Sequence, residues 1–223
     1  MLFAACRHAP RAGGPLPHEA YVWQRGWGAP VRHALVEAKA GLAGFAPLAA
    51  EVAWKGRSQV VERPTIDFAA LLATGRAVAP VLRVGAFPGP FAADDDAARN
   101  LAQLAGSLVA DMRAHGVEPR ELQVDFDCAE SKLAGYRAWL QAIRGAVAPL
   151  AVCPTVLPGW LARREFAPLA RDCGGFVLQV HGVDPPRLDG HAPPLCDPAR
   201  AAAWVESAAK IGVPFRVALP TYG

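Results

Sequence analysis

A parallel α/β fold is predicted by three features of this sequence. Strand-like apolar runs alternate with helix-like stretches along nearly all of its 223 residues. Parallel strands cannot be joined by a tight turn, so a helix between successive strands is the expected crossover. Several strands also carry polar residues at alternate positions near their C-terminal ends, where (β/α) barrels build their sites.

The elements follow in order. Residues 19–24 (EAYVWQ) read as the first strand, and 30–42 as a helix. Residues 47–54 (PLAAEVAW) form the second strand, followed by a loop containing Pro64 and a short helix near 65–73. The third strand is expected over 77–87. The clearest helix spans 94–116, with Leu101, Leu104, Leu108 and Met112 on one stripe and Gly116 as its stop. Its Asp94-Asp95-Asp96 start places negative charge at the positive end of the helix dipole. Residues 121–127 (ELQVDFD) make the fourth strand, with a helix to Val147 carrying Leu133, Tyr136, Leu140 and Ile143 at helical spacing. The fifth strand covers 149–157 and the sixth 174–182, with a helix over 158–171 between them. Asp197-Pro198 gives an N-cap and a first helical residue, and 213–223 is the seventh strand.

Seven such units fit either an open doubly wound sheet or most of a barrel. Neither GxGxxG nor GxxxxGK[ST] follows any strand, which removes the main support for the nucleotide-binding folds. The expectation is therefore a (β/α)8 TIM-barrel-like domain over 19–223, truncated after the seventh strand. A gap between strands one and seven would leave sheet edges unpaired, so self-association is expected. Residues 1–18 read as a disordered leader. Phe3-Ala4-Ala5-Cys6 also resembles the end of a lipoprotein signal, which would make Cys6 a lipid anchor on an exported, envelope-bound protein; an incidental cysteine in a cytoplasmic protein is the other reading.

Composition narrows the partners. With 52% hydrophobic and 19% charged residues, the chain can bury a sizeable core. Its net charge of +3 comes from scattered Lys and Arg, so nucleic acid is not expected as a partner. No apolar run approaches the ~20 residues of a membrane span. Cys128, Cys153, Cys173 and Cys196 form no CxxC pair, and buried free thiols are the expectation. HxxxH and HxH-type pairs are missing too, so neither metal nor other cofactor is expected.

Alternation assigns the inward residues. On strand four, Gln123, Asp125 and Asp127 point into the barrel while Leu122, Val124 and Phe126 face the helices. The same parity turns Arg83, Gln179, His181 and Tyr222 inward. Trp23 is the inward residue of strand one, with Gln24 at the rim; on strand two it is either Glu51 or Trp54. Asp127 with Glu130 has capping-box spacing, which would make that pair a helix start. Asp125 lies inside an apolar run, where a carboxylate must be paired or solvated. Arg83 on the neighbouring strand could serve it as a purely structural ion pair; alternatively Asp125 and Asp127 are acid–base groups. No GxSxG-type nucleophile accompanies His181.

Taken together, YVWQRGW, LQVDFDCAESKLAGYRAWL, TVLPGWL, FVLQVHG and PFRVALPTYG resemble the bacterial domain-of-unknown-function 3142 family, over residue 19 to the C-terminus. That resemblance implies a glycoside-hydrolase-like barrel and an exported or envelope location. The fourth strand is also similar to chitinase-type barrels, which carry DxxDxDxE there. In this chain the glutamate comes one residue late, as Glu130, and no aspartate stands three before Asp125. A carbohydrate, such as an envelope polysaccharide, is the expected partner. Asp125 and Asp127 are the candidate carboxylates, and Trp23, Gln24, Glu51, Trp54, Arg83, Gln179, His181 and Tyr222 the candidate binding residues. A non-catalytic glycan-binding or scaffold barrel is the alternative.

Overall fold

A computed structural model describes residues 14–56, 58–87, 89–91, 95–181 and 195–220. Cys6, Asp94 and Tyr222 lie outside them, as does most of the leader. The chain order is β1 (Glu19–Val22), α1 (Ala29–Ala38), β2 (Gly44–Lys55), β3 (Ser58–Glu62), α2 (Phe68–Thr74), β4 (Ala77–Val78), β5 (Val81–Val84), α3 (Asp96–Ala114), β6 (Glu121–Phe126), α4 (Leu133–Val147), β7 (Ala151–Val156), α5 (Phe166–Cys173), β8 (Phe176–Gln179), α6 (Pro198–Ala209) and β9 (Phe215–Ala218).

Seven strands pair in the order β1-β2-β5-β6-β7-β8-β9, each parallel to its neighbour. The sheet curls into a half-barrel with the helices outside, the barrel-like α/β architecture that the alternation predicts. Strands β1 and β9 are its two ends.

The helix-facing side of the sheet is the core. Leu122, Val124 and Phe126 of β6 are buried against α4, whose Leu133, Tyr136, Trp139, Leu140 and Ile143 are buried in turn. Leu101, Leu108 and Met112 of α3 are buried as their stripe requires. Asp95 caps α3 by accepting from the Ala98 amide at 2.6 Å, and Asp197 caps α6 by accepting from the Ala199 amide at 2.9 Å. Cys128 and Cys153 are buried free thiols, and Cys173 and Cys196 are half-buried.

Three local expectations are corrected. The stretch 77–87 divides at Ala79-Pro80, because proline has no N–H to give the ladder, and strand pairing ends at Val84. The segment after β2 is a hairpin rather than a loop: Gly56, at φ +62°, turns the chain into β3, which runs antiparallel to β2. Lastly, Asp127 and Glu130 do not form a capping box. A 3₁₀ turn over Glu130–Lys132 precedes α4, and neither it nor α4 has a side-chain cap.

Candidate functional site

The inner face of the half-barrel carries polar side chains in three layers, with Leu48, Val81, Cys153 and Val177 buried among them. At its N-terminal end Glu121 is 8% exposed and receives hydrogen bonds from Arg216 of β9 and from Gln123 Nε2 at 3.0 Å. Arg120 grips Glu19 of β1 through two bonds, at 2.6 and 2.9 Å, and Arg216 stands 3.9 Å from the same carboxylate. Burial pushes the Glu19 carboxyl up, but the Arg120 hydrogen bond and the two guanidinium charges outweigh it and hold the group below its usual range. One layer up, the Tyr21 hydroxyl donates to Gln123 Oε1 at 2.7 Å, tying β1 to β6 across the interior. Burial, and after it the charge of Asp125, keeps that phenol firmly protonated.

The third layer is the mouth. Strand register sets Glu51, Arg83 and Asp125 side by side across β2, β5 and β6. Asp125 Oδ1 accepts from the Thr155 hydroxyl at 2.7 Å and from Gln179 Nε2 at 3.2 Å. Glu51 Oε2 accepts from Arg25 Nη2 at 2.5 Å, and Arg25 also stands 3.3 Å from Glu62 of the hairpin. Arg83 lies between Glu51, at 3.8 Å, and Asp125, at 3.9 Å, with its guanidinium 5.6 Å from the centre of the Trp23 ring. Trp23 stacks on Tyr21 at 5.3 Å and keeps 38% of its surface exposed.

Asp127 is open to solvent just past the end of β6. Its carboxyl is nevertheless held above the ordinary carboxylate range, first by desolvation and then by the charge of Asp125, against the opposing pull of Arg83 and His181. His181 Nδ1 lies 3.1 Å from the Ala218 carbonyl, which fixes Nδ1 as the donor and the ring's direction. Along the rim, Glu130, Ser131, Arg163 and Glu165 line an open groove of about 520 Å³. Glu130 is spent there on an ion pair with Arg163, and Gly159 leaves room for it, since a Cβ at that position would overlap Glu130 Oε1.

Of the candidate residues, the structure gathers Trp23, Glu51, Arg83, Asp125 and Gln179 through direct contacts, with Asp127 and His181 at their edge and Gln24 exposed on the rim. It decides strand two in favour of Glu51. Trp54 belongs to the helix side, with its ring 4.7 Å from Phe87 and 6.2 Å from Trp139. Tyr21, Thr155, Arg25 and the layer of Glu19, Arg120, Glu121 and Arg216 were not singled out by sequence. Strand alternation could have found several: Tyr21 has the parity of Trp23, Glu121 that of Asp125, and Arg216 that of Tyr222.

A family model described as a domain of unknown function, DUF3142, matches residues 74–223. The chain belongs to this family. Among curated proteins, none matches the sequence. Solved structures share its fold at low identity. A chitinase from Chromobacterium violaceum superposes with a TM-score of 0.64 at 15% identity, covering 92% of this chain and 68% of that one. The spore cortex-lytic enzyme SleL of Bacillus megaterium gives a TM-score of 0.62 at 14% identity, covering 94% and 52%, and that of Bacillus cereus gives 0.60 at 16%, covering 89% and 49%. The DUF3142 chain thus spans about half the length of the spore enzymes.

Proposed function

We propose that this protein hydrolyses a glycan at the C-terminal face of its strands, with Asp127 as general acid and Asp125 as the stabilising carboxylate. The observation that carries this reading is the unequal environment of two neighbouring carboxyls. Asp125 is fixed in place by hydrogen bonds from the Thr155 hydroxyl and the Gln179 amide, with Arg83 3.9 Å away. Asp127, two residues on, has its proton affinity raised. A carboxyl with raised proton affinity suits the acid's role beside a second carboxyl fixed by hydrogen bonds. In glycoside hydrolysis, one carboxylic acid protonates the leaving oxygen while a carboxylate supports the positive charge that develops on the sugar ring, and water then bonds to that ring carbon and returns a proton to the first group. Asp127 is exposed enough to reach a glycosidic oxygen, and Asp125 is fixed enough to hold its charge in place. The chitinase and the spore cortex-lytic enzymes among the structural neighbours support a polysaccharide as the substrate class, and an envelope polysaccharide is the one proposed.

One observation favours the alternative of glycan binding without cleavage. Ala129 occupies the place where DxxDxDxE barrels have glutamate, and Glu130 is turned to Arg163. The two readings separate in one assay: reducing-sugar release from envelope polysaccharides by wild type, Asp125→Asn and Asp127→Asn, with binding measured in parallel. Hydrolysis predicts release by wild type that falls by ~100-fold or more in Asp127→Asn, the usual scale of a general acid. Binding by a wild type that releases nothing would overturn the enzymatic reading.

A further inference from the structure

Among the described residues, Arg83 is the one arginine at the mouth whose hydrogen-bonding capacity is unspent. Arg25 beside it is committed to Glu51 and Glu62. The two carboxylates flanking Arg83 are already served by other donors, Glu51 by Arg25, and Asp125 by Thr155 and Gln179. Arg83 stands 3.8 and 3.9 Å from them, beyond hydrogen-bond length, and no N–H of its guanidinium is bonded to an acceptor among the described residues. Its side chain is 46% exposed and lies over the partly exposed Trp23 ring. A planar five-donor fork beside an aromatic edge, in the centre of a polar mouth, is matched by a carboxylate that can accept two parallel hydrogen bonds.

We infer that Arg83 is the docking point for a carboxylate carried by the glycan, so that the substrate is an acidic polysaccharide, an assignment that rests on the glycan reading above. Glu51 is paired with Arg25, and Asp125 keeps its hydrogen bonds from Thr155 and Gln179, so an incoming carboxylate gains the fork without displacing an established hydrogen bond, and the fork must outweigh the repulsion of the flanking carboxylates. Trp23, stacked on Tyr21 and lying under Arg83, would then flank the same sugar while Arg83 holds its acid group. The acid is either a C6 uronate or an ether-linked carboxyl, and the guanidinium accepts both.

The test is titration calorimetry of wild type, Arg83→Ala and Arg83→Lys with three pairs of probes. These are trigalacturonate and its carboxyl-reduced form, a carboxymethylated cello-oligosaccharide and its unmodified parent, and galacturonate and galactose as monomer controls. The expected result is a wild-type preference of ~10- to 100-fold for an acidic trimer over its neutral form, the scale of hydrogen bonds to a charged group. The preference collapses in Arg83→Ala and survives in part in Arg83→Lys, which keeps the charge and loses the fork. Preference within the galacturonate pair alone assigns a uronate, and preference within both pairs assigns the carboxylate irrespective of its linkage. Equal binding of acidic and neutral probes by wild type overturns the inference and leaves the glycan reading standing. So does a loss in Arg83→Ala that is the same factor for acid and neutral forms. Binding of none of the probes, by a chain whose circular dichroism is that of a folded α/β protein, overturns the glycan reading along with it.

Discussion

Replacing Arg216 with methionine tests whether the polar layer at the N-terminal end of the half-barrel holds its two edge strands. Arg216 lies on β9, hydrogen-bonds Glu121 on β6, and stands 3.9 Å from Glu19 on β1. Breaking a buried ion pair by removing one partner costs ~3–5 kcal/mol, because the remaining charge is left uncompensated. The full amount is not expected. Glu121 keeps the Gln123 amide at 3.0 Å and the Arg120 guanidinium at 3.4 Å, and the Arg216 side chain is 34% exposed. Allowing for the donors that remain, the loss comes to about 2 kcal/mol, in the range of one hydrogen bond to a charged group. For a protein of this size that is a fall of roughly 4–8 °C in melting temperature. The assay is urea unfolding of wild type, Arg216→Met, Glu121→Gln and the double variant. Because the two side chains are in contact, the double variant should be more stable than the sum of the single losses predicts, by ~1–2 kcal/mol. Additive losses, or a single-variant loss below ~0.5 kcal/mol, would refute the idea that this pair bridges the sheet.

Two further substitutions give opposite signs. Gly135→Ala in α4 would place a Cβ on the Phe91 side chain, so the ~1 kcal/mol gain in helix propensity should be outweighed by ~1–3 kcal/mol of overpacking, whereas Gly145→Ala on the same helix meets nothing within 4 Å and should stabilise; thermal melts of the pair check this. Asp127→Asn should stabilise the protein at pH 7 while reducing sugar release. A carboxyl whose folded pKa is raised binds its proton more tightly when folded, so its ionised form weakens the fold at neutral pH, and that cost fades as pH falls toward 3.8, its unfolded value. Solvent exposure keeps the gain below ~1 kcal/mol, and a gain that persisted unchanged below pH 3.8 would contradict the electrostatic cause.

The order of elements was legible because each reports on itself. Apolar stripes such as Leu101–Leu108–Met112, and caps such as Asp197-Pro198, are local signals that tertiary packing did not override. The inward set was legible through parity, which is why Asp125, Arg83 and Gln179 could be placed on one face before any coordinates. What strand parity could not supply was register, the offset between neighbouring strands. The contacts of Thr155 and Gln179 with Asp125 depend on how β7 and β8 are staggered against β6, and nothing local encodes that stagger. The choice between Glu51 and Trp54, which have opposite parity, stayed open because 47–54 carries apolar residues at both parities. The hairpin was missed because Ser58–Glu62 is short and exposed, yet Gly56 followed by Val60-Val61 was a usable turn-and-strand signal. The capping box misled because Asp127–Glu130 has the right spacing, while the chain enters α4 through a 3₁₀ turn.

The same polarity explains how a half-barrel can keep an ordered interior. A closed barrel fills its centre with layers of branched apolar side chains, and removing a strand from such a centre would expose them. Here the inner face of β6 runs Glu121, Gln123, Asp125, and each side chain meets a partner from across the sheet: Arg216 of β9, Tyr21 of β1, and Thr155 and Gln179 of β7 and β8. The polar groups of β6 on this face are thus satisfied within the sheet, whose end strands, β1 and β9, have its two main-chain edges. Those edges are short, four residues each, and the β9 edge carries exposed Val217. The Arg83–Asp125 row lies on β5 and β6, at the middle of the sheet and away from both end strands.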